Sequence, residues 1–287
     1  MNQDRQAAAP VSRRSVLLGA LGAATALAGC GGGQAAPHRE VARAAAFSTA
    51  ALHEGVFDSR FLASQVGWAV AVPRGIERTA PLPVLLYLHG LGADHRGPFD
   101  YVGLHRALQA WAAKGGPPFA IATVDGGDGW WKPQSDGTDA SRMVIEEYLP
   151  LLRRHGFDID TLALGGASMG GYGALRLAGS DRLRVRSVSV IAPALGEQAG
   201  RSGSLTDVAQ HPERLVGTPV LLVVGTRDEL LDEDMAYAQA LRDAGVTVTA
   251  QTFPGGHDAF EMAAAGPDVI RFTGEHLAGT PAGRDHS

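Results

Sequence analysis

The 287-residue chain contains one cysteine, Cys30. No internal disulfide can form, so the fold rests on a packed core rather than on covalent staples. An excess of either charge is also missing. The formal net charge of −5 gives no electrostatic reason to expect nucleic acid or an anionic membrane surface as a partner, and a neutral or small substrate fits better. Glycine and proline together stay below the share that marks low-complexity chains, so most of the chain folds. There is no internal repeat, no second-domain signature and no nucleotide-binding loop. Asp125 and Asp128 could suggest a metal, but no ligand spacing for Ca²⁺ or Zn²⁺ follows them. Neither a metal nor a cofactor is expected.

What is present suffices for a full core. With 45% hydrophobic residues, a chain of this length can form one α/β catalytic domain, here expected over residues 46–278 with a polar tail at 279–287. Ahead of it, Ser12-Arg13-Arg14-Ser15-Val16-Leu17-Leu18 leads into an apolar stretch through Ala28. That stretch suits a signal h-region and is too short to span a bilayer comfortably. Residues 1–29 resemble a bacterial twin-arginine signal, with Gly19 standing where Lys is often found. Leu27-Ala28-Gly29-Cys30 resembles the lipobox of bacterial lipoproteins, which implies a lipidated Cys30. Two acyl chains suffice for stable membrane anchoring. Residues 30–45, opening on Gly31-Gly32-Gly33, then serve as a flexible tether. The expected location is extracytoplasmic, lipid-anchored to the cell membrane.

From Val66 onward, short apolar runs alternate with helical patterns, the mark of a mainly parallel sheet with helices on both faces. Strands are expected at 69–72, 84–88, 119–124, 161–164, 185–191, 220–224 and 248–253. Helices are expected at 101–114, 140–154, 170–178, 233–244 and 267–277. Asp139 can cap the second of these. Residues 196–213, small and polar, are expected to form a loop or partial lid.

Gly166-Ala167-Ser168-Met169-Gly170 matches G-x-S-x-G. Composition alone could nearly produce that pattern, but an apolar run precedes it and a helical segment follows it. A serine on a sharp strand-to-helix turn is displayed at the sheet edge, with the positive end of a helix near a developing oxyanion. Ser168 is the candidate nucleophile. His257, in Gly255-Gly256-His257-Asp258 after the last expected strand, is the candidate general base. Asp228 ends the run Val220–Gly225 and is the candidate orienting acid, with Glu229, Asp232 and Asp234 as competitors. Serine, acid, histidine is the chain order for this kind of elbow. Tyr87-Leu88-His89-Gly90-Leu91-Gly92 supplies a second loop, and the backbone N–H groups of Leu91 and Met169 can form an oxyanion hole. His89 is then a structural hydrogen-bonder rather than a base. Trp130 and Trp131, in the loop that opens with Asp125, are candidates for an acyl pocket, with ordinary loop packing as the alternative.

His89-Gly90-Leu91-Gly92, Ser168-Met169-Gly170-Gly171-Tyr172-Gly173-Ala174-Leu175, Gly255-Gly256-His257-Asp258 and Asp125-Gly126-Gly127 together resemble the esterase D-like branch of the α/β-hydrolases. That branch includes S-formylglutathione hydrolases, feruloyl esterases and secreted mycolyltransferases. The resemblance runs from about Gly67 to Leu277 and implies an α/β-hydrolase fold and hydrolysis of a carboxylic ester, on a small-molecule, lipid or sugar substrate. Formylglutathione hydrolases are cytosolic, so an exported chain argues against that activity. An acyltransferase would use the same three residues with an acceptor alcohol in place of water. A non-catalytic envelope-binding protein would require loss of a triad member, and all three are present.

Overall fold

The structure is a computed structural model and describes residues 49–77, 79–196 and 206–279. The signal, Cys30 and almost all of the tether and tail lie outside the described residues.

Among the described residues eight strands form one sheet in the order β1-β2-β4-β3-β5-β6-β7-β8. They are β1 (Ala51–Ser59), β2 (Ser64–Val72), β3 (Leu82–Leu88), β4 (Ala120–Val124), β5 (Phe157–Ala167), β6 (Val188–Ile191), β7 (Val220–Gly225) and β8 (Val248–Phe253). β2 is antiparallel to both β1 and β4, and the other neighbours run parallel. The helices are α1 (Gly97–Asp100), α2 (Leu104–Ala113), α3 (140–154), α4 (Met169–Ala178), α5 (Thr206–Ala209), α6 (Leu231–Asp243) and α7 (Gly266–Ala278). Within α3 a π-helical turn, Val144–Tyr148, joins two α-helical pieces.

The central parallel strands β3, β4 and β7 read as nearly unbroken apolar runs because helices cover them on both faces. All five residues of β4 and all six of β7 are buried. Burying one Leu or Val side chain stabilises by about 1.5–3 kcal/mol, so these central strands anchor the sheet. Asp139 caps α3 as its position forecasts, accepting the Arg142 N–H at 3.0 Å.

Three expectations change. The alternation begins before Val66. β1 is an edge strand whose polar and apolar residues both face solvent in part, so it lacks the continuous apolar signal of its neighbours. The helix expected at 101–114 starts only at Leu104, because Gly103 is left-handed at φ 71° and separates it from α1. Within the expected lid at 196–213, the described residues hold α5 and a 3₁₀ turn, Pro212–Leu215.

Candidate active site

The sheet delivers the chemistry at the C-terminal ends of its parallel strands, where α/β sheets place their sites. β5 runs straight into Ser168, and α4 begins at the next residue. Between them Ser168 sits at φ 52°, ψ −121°, a region that costs a non-glycine residue about 1–3 kcal/mol. The surroundings hold it there. Its N–H donates to the Ile191 carbonyl at 3.0 Å, while its own carbonyl accepts from Tyr172 and Ala194 at 3.1 and 3.2 Å. Two glycines make the turn sterically feasible. A Cβ on Gly166 would lie 2.2 Å from the Gly170 oxygen, and one on Gly170 would lie 2.1 Å from the Leu88 oxygen. Ala192, Trp130 and Trp131 also have positive φ, so strained backbone gathers in the loops at this end of the sheet.

The histidine and acid loops are joined at the ends of β7 and β8. Thr226 N–H donates to Phe253 O at 2.9 Å and Arg227 N–H to Gly255 O at 2.7 Å. Glu261 accepts the Gly256 N–H at 2.7 Å and pairs with Arg227 at 2.8 Å. This brings His257 Nε2 to 2.9 Å from Ser168 Oγ. His257 Nδ1 lies 3.0 and 3.1 Å from the two carboxylate oxygens of Asp228. The Asp228 side chain has no solvent exposure, and one of its oxygens also accepts the Leu230 N–H at 2.9 Å.

Of the competing acids, Glu229 and Asp232 are exposed. Asp234 is fully buried in the first turn of α6, and neither carboxylate oxygen has a hydrogen-bond partner. Burial, followed by the charges of Asp228 and Glu233, pushes its carboxyl up to about 9. Asp234 is therefore neutral at pH 7, and only Asp228 meets the histidine.

Leu91 lies in the loop after β3. The Cβ position of its neighbour Gly90 is 3.7 Å from Ser168 Cβ. Met169 opens α4, so its N–H has no acceptor within the helix. His89 is buried and takes both of its ring bonds from the main chain. Nδ1 is 2.8 Å from Gly90 O, and Nε2 accepts the Gly126 N–H at 3.0 Å. That pairing fits a neutral ring with one donor and one acceptor. Burial accordingly pushes the His89 pKa down.

The two tryptophans part company. Trp131 has no exposed surface and its indole N–H donates to His89 O at 3.2 Å. A Cβ on Gly126 or Gly173 would strike its ring, so Trp131 packs under the site instead of lining a pocket. Trp130 is half-buried, edge to face with Tyr172 at 6.1 Å. Asp125 and Asp128 bind backbone: Asp125 accepts from Gly67 and His95 N–H, and Asp128 accepts the Gly92 N–H at 2.8 Å. Among the described residues no cluster of His, Cys, Asp and Glu could hold a metal ion.

The sequence reading missed the backbone support from Ile191 and Ala194, and also His95, whose Nδ1 pairs with Asp125 Oδ1 at 2.8 Å. Neither carries a motif, because each acts through main-chain position or a contact distant in sequence.

A carboxylate, an imidazole and a hydroxyl bonded in series at the edge of such a sheet define an α/β-hydrolase. The chain belongs to the Esterase family, described as "Putative esterase", whose profile matches residues 59–264, more than half of the chain. It is a carboxylic ester hydrolase. Solved structures share its fold. A ferulic acid esterase matches with TM-score 0.72 at 20% identity, covering 81% of this chain and 100% of the other. An S-formylglutathione hydrolase from Agrobacterium tumefaciens matches with TM-score 0.66 at 20% identity, covering 81% and 97%. The fluorophosphonate-binding serine hydrolase FphF of Staphylococcus aureus matches with TM-score 0.66 at 16% identity, covering 79% and 99%. No curated protein matches the chain.

Proposed function

We propose that the chain hydrolyses carboxylic esters through an acyl-enzyme on Ser168. His257 Nε2 takes the hydroxyl proton as Oγ attacks the ester carbonyl, then returns it to the departing alcohol oxygen. Asp228 holds Nδ1–H and stabilises the imidazolium. The N–H groups of Leu91 and Met169 receive the oxyanion, aided by the positive end of α4; in comparable sites one such donor is worth about 2.7–4 kcal/mol. Water then attacks the acyl-enzyme by the same proton route. Trp130 borders the acyl side. The unbroken series from Asp228 through His257 to Ser168, at 3.0 and 2.9 Å, is the observation that carries this assignment. A fluorophosphonate probe tests it: wild type should label and Ser168→Ala should not. Equal labelling of the two, or no labelling of wild type, overturns the proposal.

The arginine pair and the lipobox-like sequence support export and tethering through Cys30, where two acyl chains would give stable anchoring. Cys30→Ala should release the protein from the membrane fraction; unchanged retention refutes lipidation at that residue.

A further inference from the structure

Large apolar side chains in solvent are informative when they gather, not when they are scattered. Among the described residues the exposed ones are Val56, Leu91, Tyr101, Val216, Met235 and Phe260. Leu91, Tyr101 and Phe260 stand on the two loops that flank Ser168. Leu91 is 58% exposed in the loop after β3, beside Gly90 and the Ser168 side chain. Phe260 follows His257 in the same loop and is 66% exposed. Its ring meets that of Tyr101, 46% exposed, edge to face with centroids 5.3 Å apart. The pair bridges the two loops. Asp258 Oδ1 accepts the Phe260 N–H at 2.9 Å, and Tyr101 N–H closes α1 on the Gly97 carbonyl at 3.0 Å. Both rings thus stand on hydrogen-bonded backbone.

The geometry points to this rim as the subsite for the alcohol half of the ester, selecting alcohols that are apolar or aromatic. The inference rests on the acyl-enzyme proposal above. At the tetrahedral carbon one substituent is Ser168 Oγ, and a second is the oxyanion, directed at the Leu91 and Met169 N–H groups. The leaving oxygen must lie within reach of His257 Nε2, which supplies the proton as the carbon–oxygen bond breaks. The alcohol therefore departs along the histidine loop, whose large exposed side chain is Phe260. An apolar alcohol laid on Phe260 and Tyr101 removes apolar surface of both partners from water. A polyol there would lose water contacts against two ring surfaces and regain only what the Tyr101 hydroxyl can offer.

The test uses the full chain and four butyrate esters, of methanol, glycerol, hexanol and benzyl alcohol. They share one acyl-enzyme, so differences in kcat/KM report acylation and hence the alcohol. Wild type should favour the benzyl and hexyl esters over the methyl ester by roughly 10-fold, the lower end of what one hydrophobic group confers on specificity, with the glycerol ester no better than methyl. Tyr101→Ala and Phe260→Ala should each collapse the benzyl-to-methyl ratio towards one, and Phe260→Leu should recover most of it. Val216→Ala, at the opposite end of the sheet, should keep the wild-type ratio. Fluorophosphonate labelling of each variant establishes that its site is assembled. A wild-type ratio within two-fold of one, or a ratio that survives both alanine variants, overturns the rim proposal while leaving Ser168 chemistry intact. If no ester is cleaved and the probe does not label, the acyl-enzyme proposal fails and the rim falls with it.

Discussion

Strand β5 has two ends, and they differ in nearly everything that bears on chemistry. Its N-terminal half, with the second half of α3 and the chain entering β6, encloses a groove of about 880 Å³. The floor includes Ile145, Leu149 and Leu183, and four arginines stand around it, Arg153, Arg154, Arg182 and Arg184. Two of them are neutralised by carboxylates, Arg153 by Asp160 at 2.6 Å and Arg182 by Glu146 at 2.7 Å. The C-terminal end carries Ser168 at a strained φ, in hydrogen-bonding contact with a buried acid through His257. Room and charge alone give a surface groove without a nucleophile or a base. Strain held by many hydrogen bonds, together with a buried carboxylate, gives a site.

That contrast can be broken by substitution. Ser168→Ala should lower kcat for ester hydrolysis by about 10⁶-fold, the scale seen when a serine nucleophile is removed. Asp228→Asn keeps the shape but favours the wrong histidine tautomer, and kcat should fall by about 10⁴-fold. Gly170→Ala forces a methyl group against the Leu88 carbonyl. It should cost roughly 1–3 kcal/mol in urea unfolding and about 10²-fold in kcat through a misplaced Ser168.

Asp234→Asn probes the buried acid beside the site through stability. The folded-state pKa of this acid is raised from an ordinary carboxylate value to about 9. The folded protein therefore binds the proton between about pH 4 and pH 9 while the unfolded chain does not. Its contribution is fully present below the unfolded value and is lost as pH rises through the folded one. The asparagine variant should melt near wild type at pH 4 and higher than wild type at pH 8, by at least about 2–4 °C, the response to roughly 1 kcal/mol in a domain of this size. Equal melting temperatures at pH 8 would show that Asp234 does not carry this linkage. At the other end of β5, Arg154→Ala and Arg184→Ala should change stability by less than about 0.5 kcal/mol and leave kcat/KM within two-fold. A larger loss of activity would tie the groove to the site and dissolve the contrast.

Legibility followed the same division. β3, β4 and β7 were readable within about two residues, because strands buried on both faces write continuous apolar runs; β8, partly exposed at the opposite edge of the sheet, was readable too. β1, wetted at the sheet edge, wrote none. The positions of Ser168, Asp228 and His257 were readable because each follows a strand at a turn. Asp234 could not be separated from Asp228 by spacing alone, since both stand near the start of the same helix. Trp130 and Trp131 are neighbours in the chain, yet one is half-buried and the other sealed beneath His89. Tyr101 and Phe260 carry no motif at all.

The alternation of strands and helices, the glycines that permit the elbow, and the serine, acid and histidine at strand ends are all written locally in the chain. Those features depend on local backbone sterics and on the periodicity of burial, which neighbouring residues encode. Folding alone set which carboxylate meets His257, that Trp131 supports the site from below, and that two aromatic rings from distant loops share one rim. Each of these is a contact between segments remote in the chain, set by the order and twist of the sheet.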